Sequence, residues 1–151
     1  MQVGVIKERR AGELRVAITP ETVQKFVGMG LSVVIETKAG LTAAITDKSY
    51  QEAGANIVKT PDEALKNADI VLKVRKPLSS KGSGTNTEDE VKIMKAGAVL
   101  ICLMEPYSSQ ELIKTLADRN IITFSMELIP RITRAQTMDT LSSQSNLAGY
   151  K

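Results

Sequence analysis

Residues 69 to 74, DIVLKV, decide the fold, because the aliphatic side chains Ile70, Val71, Leu72 and Val74 fall on near-consecutive positions instead of alternate ones. A strand with one wet face alternates; a run apolar on both faces belongs to a parallel sheet covered on each side. The same pattern returns on either side of it, as MQVGVI at 1 to 6, LSVVIE at 31 to 36, NIVK at 56 to 59, AVLICL at 98 to 103 and IITFS at 121 to 125. Six short strands are predicted.

The segments between them carry helix signals. Thr19 and Pro20 form an N-cap and a first-turn proline, Val23, Phe26 and Val27 make one apolar face, and Gly30 marks the stop. Thr60 to Glu63, Thr87 to Glu90 and Ser108 to Glu111 fit the capping-box spacing, and Gly97 and Asn120 suit left-handed helix ends. Strands alternating with helices make an α/β fold, a parallel Rossmann-like sheet flanked by helices, joined by right-handed crossovers. LSSKGSGTNTED, residues 78 to 89, reads as a mobile surface loop. From Arg134 the spacing predicts a helix with Met138, Leu141, Ser145 and Ala148 on one stripe, and the chain is expected to stop inside that element.

Composition narrows the possible functions. With 151 residues, 42% hydrophobic and 25% charged, the chain is one ordinary globular domain. The net charge of +3 is scattered, and five aromatics are too few for base-stacking platforms, so nucleic acid is not an expected partner. No stretch approaches the ~20 apolar residues of a membrane span. Neither direct membrane insertion nor a signal peptide is expected, and the lone Cys102, in an apolar run, reads as a buried hydrophobe in a reducing compartment. Histidine is absent, which removes the commonest general base and metal ligand; no catalytic residue and no metal site are expected.

The glycines give no G-x-G-x-x-G between a strand and a helix, so the sheet lacks the glycine-rich dinucleotide fingerprint. Arg15 could be an ion-paired turn residue or an anion clamp, and Lys73, Arg75 and Lys76 stand at a strand's carboxyl end, where open α/β sheets take ligands. The segment PRITRAQTMDTLSSQSNLAGYK, residues 130 to 151, spaces Gln136, Asp139 and Ser142 by three, with Arg131 before them. That spacing describes either a solvated helix face or a hydrogen-bonding patch suited to an amide and ribose hydroxyls.

GVIKERRAGELRVAITPETV, AITDKSY with AGANIV, ADIVLKV and finally PRITRAQTMDTLSSQSNLAGY resemble, almost end to end, the N-terminal domain of the alanine dehydrogenase and transhydrogenase superfamily. The last motif resembles the transhydrogenase branch. The resemblance implies the NAD(H)-binding component (alpha subunit, domain I) of a proton-translocating NAD(P) transhydrogenase, with Arg131, Gln136, Asp139 and Ser142 contacting NAD(H). Arg15, Lys73 and Arg75 are implied as possible anion- or substrate-side residues. It further implies a homodimer that works with an NADP(H)-binding component and a membrane domain, at the cytoplasmic face of the inner membrane. Residues 1 to 151 are then the first domain, and the subdomain with the NAD fingerprint is expected after Lys151, so these residues alone should bind NAD(H) weakly.

Two other readings stand beside it: an alanine dehydrogenase-like oxidoreductase and a non-catalytic module. In the alanine dehydrogenases an arginine matches Arg15, a lysine matches Arg75 and a catalytic histidine falls near Met104. Oxidising an amino acid needs a general base, whereas hydride transfer between two nicotinamides needs only rings held about 3 to 3.5 Å apart.

Overall fold

A computed structural model describes residues 1 to 79 and 89 to 150. All six expected strands are present: β1 (Gln2–Val5), β2 (Ser32–Glu36), β3 (Asn56–Val58), β4 (Ile70–Arg75), β5 (Val99–Leu103) and β6 (Ile122–Ser125). They form one all-parallel sheet in the order β3-β2-β1-β4-β5-β6. The chain winds outward from β1 to β3, returns to the middle and winds the other way from β4. The crossover direction therefore reverses between β1 and β4, and loops leaving their carboxyl ends part to leave a crevice.

The helices are α1 (Pro20–Gly28), α2 (Asp47–Glu52), α3 (Pro61–Leu65), α4 (Glu90–Ile93), α5 (Gln110–Asp118) and α6 (Thr140–Gly149). Thr19 caps α1 through its side chain, with Pro20 in the first turn, and Thr60 and Glu63 complete the capping box of α3. Gly30, Gly97 and Asn120 take the left-handed conformation.

Several local expectations are corrected. Val27 is 40% exposed, so Val23 is the buried anchor of α1. Thr87 lies outside the described residues, as does most of the loop at 78 to 89, and Asp89 is the cap of α4. Ser108 does not cap α5; that helix begins one residue later, and the hydroxyl of Ser109 at its N-cap accepts from Lys76 Nζ instead. From Thr133 to Met138 the chain is a 3-10 helix, and the α-helix starts only at Thr140, because the Asp139 carboxylate accepts the Ser142 N–H and ends the preceding turn. Gln136, Asp139 and Ser142 consequently do not share one helix face.

Two apolar clusters mark the sheet's two faces. One packs Val34, Val71, Leu100 and Cys102 under α3, α4 and α5 through Ala64, Leu65, Val91 and Leu116. The other packs Val3, Val5, Val33 and Ile35 under α1 and α2 through Val23 and Tyr50. Burial pushes the Cys102 thiol up to about 12, in keeping with an inert core cysteine. Tyr50 is fully buried, its hydroxyl donates to the Ile18 carbonyl at 2.8 Å, and burial raises it to about 12.

The second cluster stops short of β5 and β6. Ile122 and Phe124 are each 56% exposed, so the expectation of strands covered on both faces fails at this edge. The physical reason is winding: α3, α4 and α5 all lie on the first face, and α1 and α2 cover the second face only over β1 to β3.

Gly4 sets the spacing between β1 and α3. A methyl group there would stand 2.5 Å from the Ala64 carbonyl oxygen and 2.8 Å from Ala68 Cβ. Gly4→Ala should cost about 1 to 3 kcal/mol by overpacking, read as a lower urea midpoint with an unchanged slope.

Candidate functional site

Beyond β1 the chain reads KERRAGELR, and its charges organise the crevice. Lys73 of β4 places Nζ 3.1 Å from Glu90 Oε2 and 3.5 Å from Glu8 Oε2, with side chains 1%, 0% and 3% exposed in the same order. Burying three ions is expensive unless their remaining hydrogen-bonding positions are filled. Backbone amides fill most of them. Glu8 Oε1 accepts the Val74 N–H at 2.7 Å, where the β4 to β5 ladder slips register, and Glu90 Oε2 accepts the Leu78 N–H at 2.9 Å. Glu36, at the end of β2, does the same for Lys7 N–H at 2.9 Å and pairs with Arg9 at 2.6 Å. The crevice floor is thus charged and almost dry, and Lys73 is spent inside it instead of facing a ligand.

Arg15 is also engaged. Its Nε and Nη2 form a fork onto the Glu13 carboxylate at 2.7 and 2.6 Å, and its Nη1 donates to Gln144 Oε1 at 3.2 Å. The hydrogen bond from Arg15 holds the Glu13 carboxyl below the usual carboxylate range against the opposing effect of burial. The loop after β1 is therefore tied to α6. Arg75 and Lys76 pair with Glu105 at 3.0 and 2.8 Å, beyond the end of β5.

The Pro130 segment borders a hollow of about 260 Å³ on the sheet's second face. Leu72, Ile101, Leu103 and Met126 give it an apolar bed, and Arg15, Lys73, Thr140 and Gln144 add polar groups. A larger hollow of about 520 Å³ opens at the start of α5, next to Arg10, Lys76 and Tyr107, and includes none of the Pro130 segment.

Asp139 is the centre of the segment. Its carboxylate accepts the Ser142 N–H at 3.0 Å and the Ser142 hydroxyl at 2.5 Å, so Asp139 and Ser142 are joined as one group at the start of α6. Those bonds, with the charge of Arg131 adding to them, hold the Asp139 carboxyl below its ordinary range. Arg131 and Gln136 are exposed and leave their side chains to solvent. Thr140 Oγ1 is buried without a hydrogen-bond partner on the wall of the smaller hollow. An orphaned hydroxyl beside an exposed carboxamide and guanidinium fits a ligand with amide and hydroxyl groups, the chemistry of a nicotinamide riboside.

Sequence reading does not find Glu8, Glu13, Glu90, Glu105 and Glu127. The signal is present only as an excess of acids near strand ends; which cation each meets depends on strand order. Thr140 and Gln144 are hidden for another reason, since a continuous helix from Arg134 would turn them elsewhere.

The comparisons agree with this architecture. Residues 4–148 match the family model for the alanine dehydrogenase/PNT N-terminal domain. The chain is 49% identical over all 151 residues to the first portion of the NAD(P) transhydrogenase alpha subunit of Rhodospirillum rubrum, a separate polypeptide of which it spans 38%. It is 36% identical over 149 residues, 99% of its length, to 37% of an alanine dehydrogenase from Methanococcus maripaludis. A transhydrogenase structure from Sinorhizobium meliloti superposes with a TM-score of 0.89 at 44% identity, covering 99% of this chain and 40% of that one.

Lys73→Met leaves Glu8 and Glu90 buried without their shared cation, and should cost about 3 to 5 kcal/mol in urea unfolding. Adding Glu90→Gln removes one uncompensated charge, so the double variant should be more stable than the sum of the two single changes.

Proposed function

The chain belongs to the alanine dehydrogenase/transhydrogenase N-terminal domain family, and from that premise we propose that it forms part of the NAD(H)-binding component of a proton-translocating NAD(P) transhydrogenase. The observation that carries the reading is the start of α6. There Asp139 and Ser142 are locked together, Arg131 and Gln136 stay exposed, and Thr140 Oγ1 lacks a partner beside an apolar hollow.

NAD(H), when bound, supplies a hydride for exchange with NADP(H) on a partner component. The work of this chain is positional. Gln136 and Arg131 would meet the carboxamide and ribose, and the Asp139–Ser142 pair would present a fixed acceptor to a ribose hydroxyl, at no cost in reordering. The bed of Leu72, Ile101 and Leu103 excludes water from one side of the site. No proton is held or moved, which suits a chain without histidine.

In this reading the component is a homodimer at the cytoplasmic face of the inner membrane, coupled to proton movement through an NADP(H)-binding component and a membrane domain. Among the described residues no helix is long and apolar enough to cross a membrane, and the membrane portion is assigned to those partners.

Gln136→Ala in the complete protein should raise KM for NADH at least about tenfold, the factor carried by one lost hydrogen bond of roughly 1.4 kcal/mol. An unchanged KM, or turnover of pyruvate with ammonia, would overturn the assignment. The 151 residues alone should show only weak quenching or enhancement of NADH fluorescence on titration, and submicromolar binding would contradict a site completed elsewhere.

A further inference from the structure

The segment that carries Arg131, Gln136 and Asp139 is poorly anchored by apolar contact. Between Met126 and Tyr150 only Ala135 and Asp139 are buried, α6 contributes no buried residue, and Leu128, Ile132, Met138 and Leu147 are all more than half exposed. Something polar must hold it. Glu127 stands in the 3-10 turn Met126–Leu128 that leads into the segment, and its carboxylate accepts the Met104 N–H at 3.2 Å, the adjacent Glu105 N–H, and the Ser125 hydroxyl at 2.8 Å. Glu105 is one of four non-glycine residues with positive φ among those described, at 51°. That conformation turns two successive amides toward one oxygen-bearing group, the geometry of an anion-binding nest. Here the anion is the chain's own. Glu105 then turns its side chain to Arg75 and Lys76, so a single carboxylate links the Pro130 segment to the carboxyl ends of both β5 and β4.

We infer that Glu127 is a positioning residue, the latch that fixes the segment from Pro130 to Gly149 against the carboxyl end of β5. Burial works to raise its carboxyl, but hydrogen bonds from the backbone and from Ser125 outweigh burial and hold it below the usual carboxylate range. The folded form favours the ionised group. The latch is therefore fully made above the ordinary carboxylate range and is lost as pH falls through the lowered folded value. Few other titrating groups are near: β6 and α6 have none, β5 has only Cys102, and Glu105 is paired with cations.

The latch belongs to the domain without nucleotide, so its test is independent of the cofactor reading. Hydrogen exchange followed by mass spectrometry on the wild-type chain, Glu127→Gln and Glu127→Asp separates the outcomes. In Glu127→Gln, peptides spanning residues 104 to 105 and 126 to 143 should exchange at least about tenfold faster, the factor that one charge-assisted hydrogen bond carries, with β1 and β4 unchanged. Glu127→Asp should restore part of the protection. After correction for intrinsic exchange, the same wild-type peptides should open as pH is lowered, and Glu127→Gln should lack that dependence. Unchanged protection in Glu127→Gln, an equal loss in β1 and β4, or an acid dependence that survives the substitution would each overturn the assignment.

Discussion

Lys73 stands between Glu8 and Glu90 where the winding of the sheet reverses, and the rest of the site depends on that buried contact. The crevice of a doubly wound sheet is open by construction, since loops leave β1 and β4 in opposite directions. Here charge closes its floor. Each acid also takes a backbone amide that the sheet leaves unpaired, at Val74 and Leu78, so the ions finish the hydrogen bonding of the strand ends. A buried triad of this kind adds little net stability over an apolar replacement, but it tolerates few alternative arrangements. It fixes the loop after β1 relative to β4, and with it the reach of Arg15.

Carboxylates hold the loops and the last helix of this domain to its sheet. Glu13 engages Arg15, whose remaining nitrogen reaches Gln144 of α6; Glu105 engages Arg75 and Lys76; Glu127 engages the amides after β5; Asp139 begins α6. Apolar burial is concentrated under α1 to α5 and is thin beyond β6. The division has a physical sense. Apolar contact gives stability without direction, whereas a hydrogen-bonded carboxylate fixes distance and angle, which is what a site acting by positioning requires.

The uncovered edge of the sheet at Ile122 and Phe124, together with the exposed apolar residues of the Pro130 segment, shows how sparingly that region uses the hydrophobic effect within these residues. Similar relatives are more than twice as long as this chain. A domain whose stabilising core ends at β5 and whose binding segment is latched by polar contacts separates folding from positioning.

The six strands, the caps at Thr19 and Thr60 and the left-handed ends at Gly97 and Asn120 were legible in the sequence, because each depends on neighbours a few residues away. So was Cys102 as a core residue. The start of α6 was not legible, because helical periodicity continues through Arg134, while the stop comes from one side chain, Asp139, capping its own successor. Strand order, the pairing of Lys73 with Glu8 and Glu90 across 65 and 17 positions, and the Glu127 latch on Met104 and Glu105 were decided only in three dimensions. Local preference is written in adjacent residues; the partner of a charge is set by which strands the crossovers bring side by side.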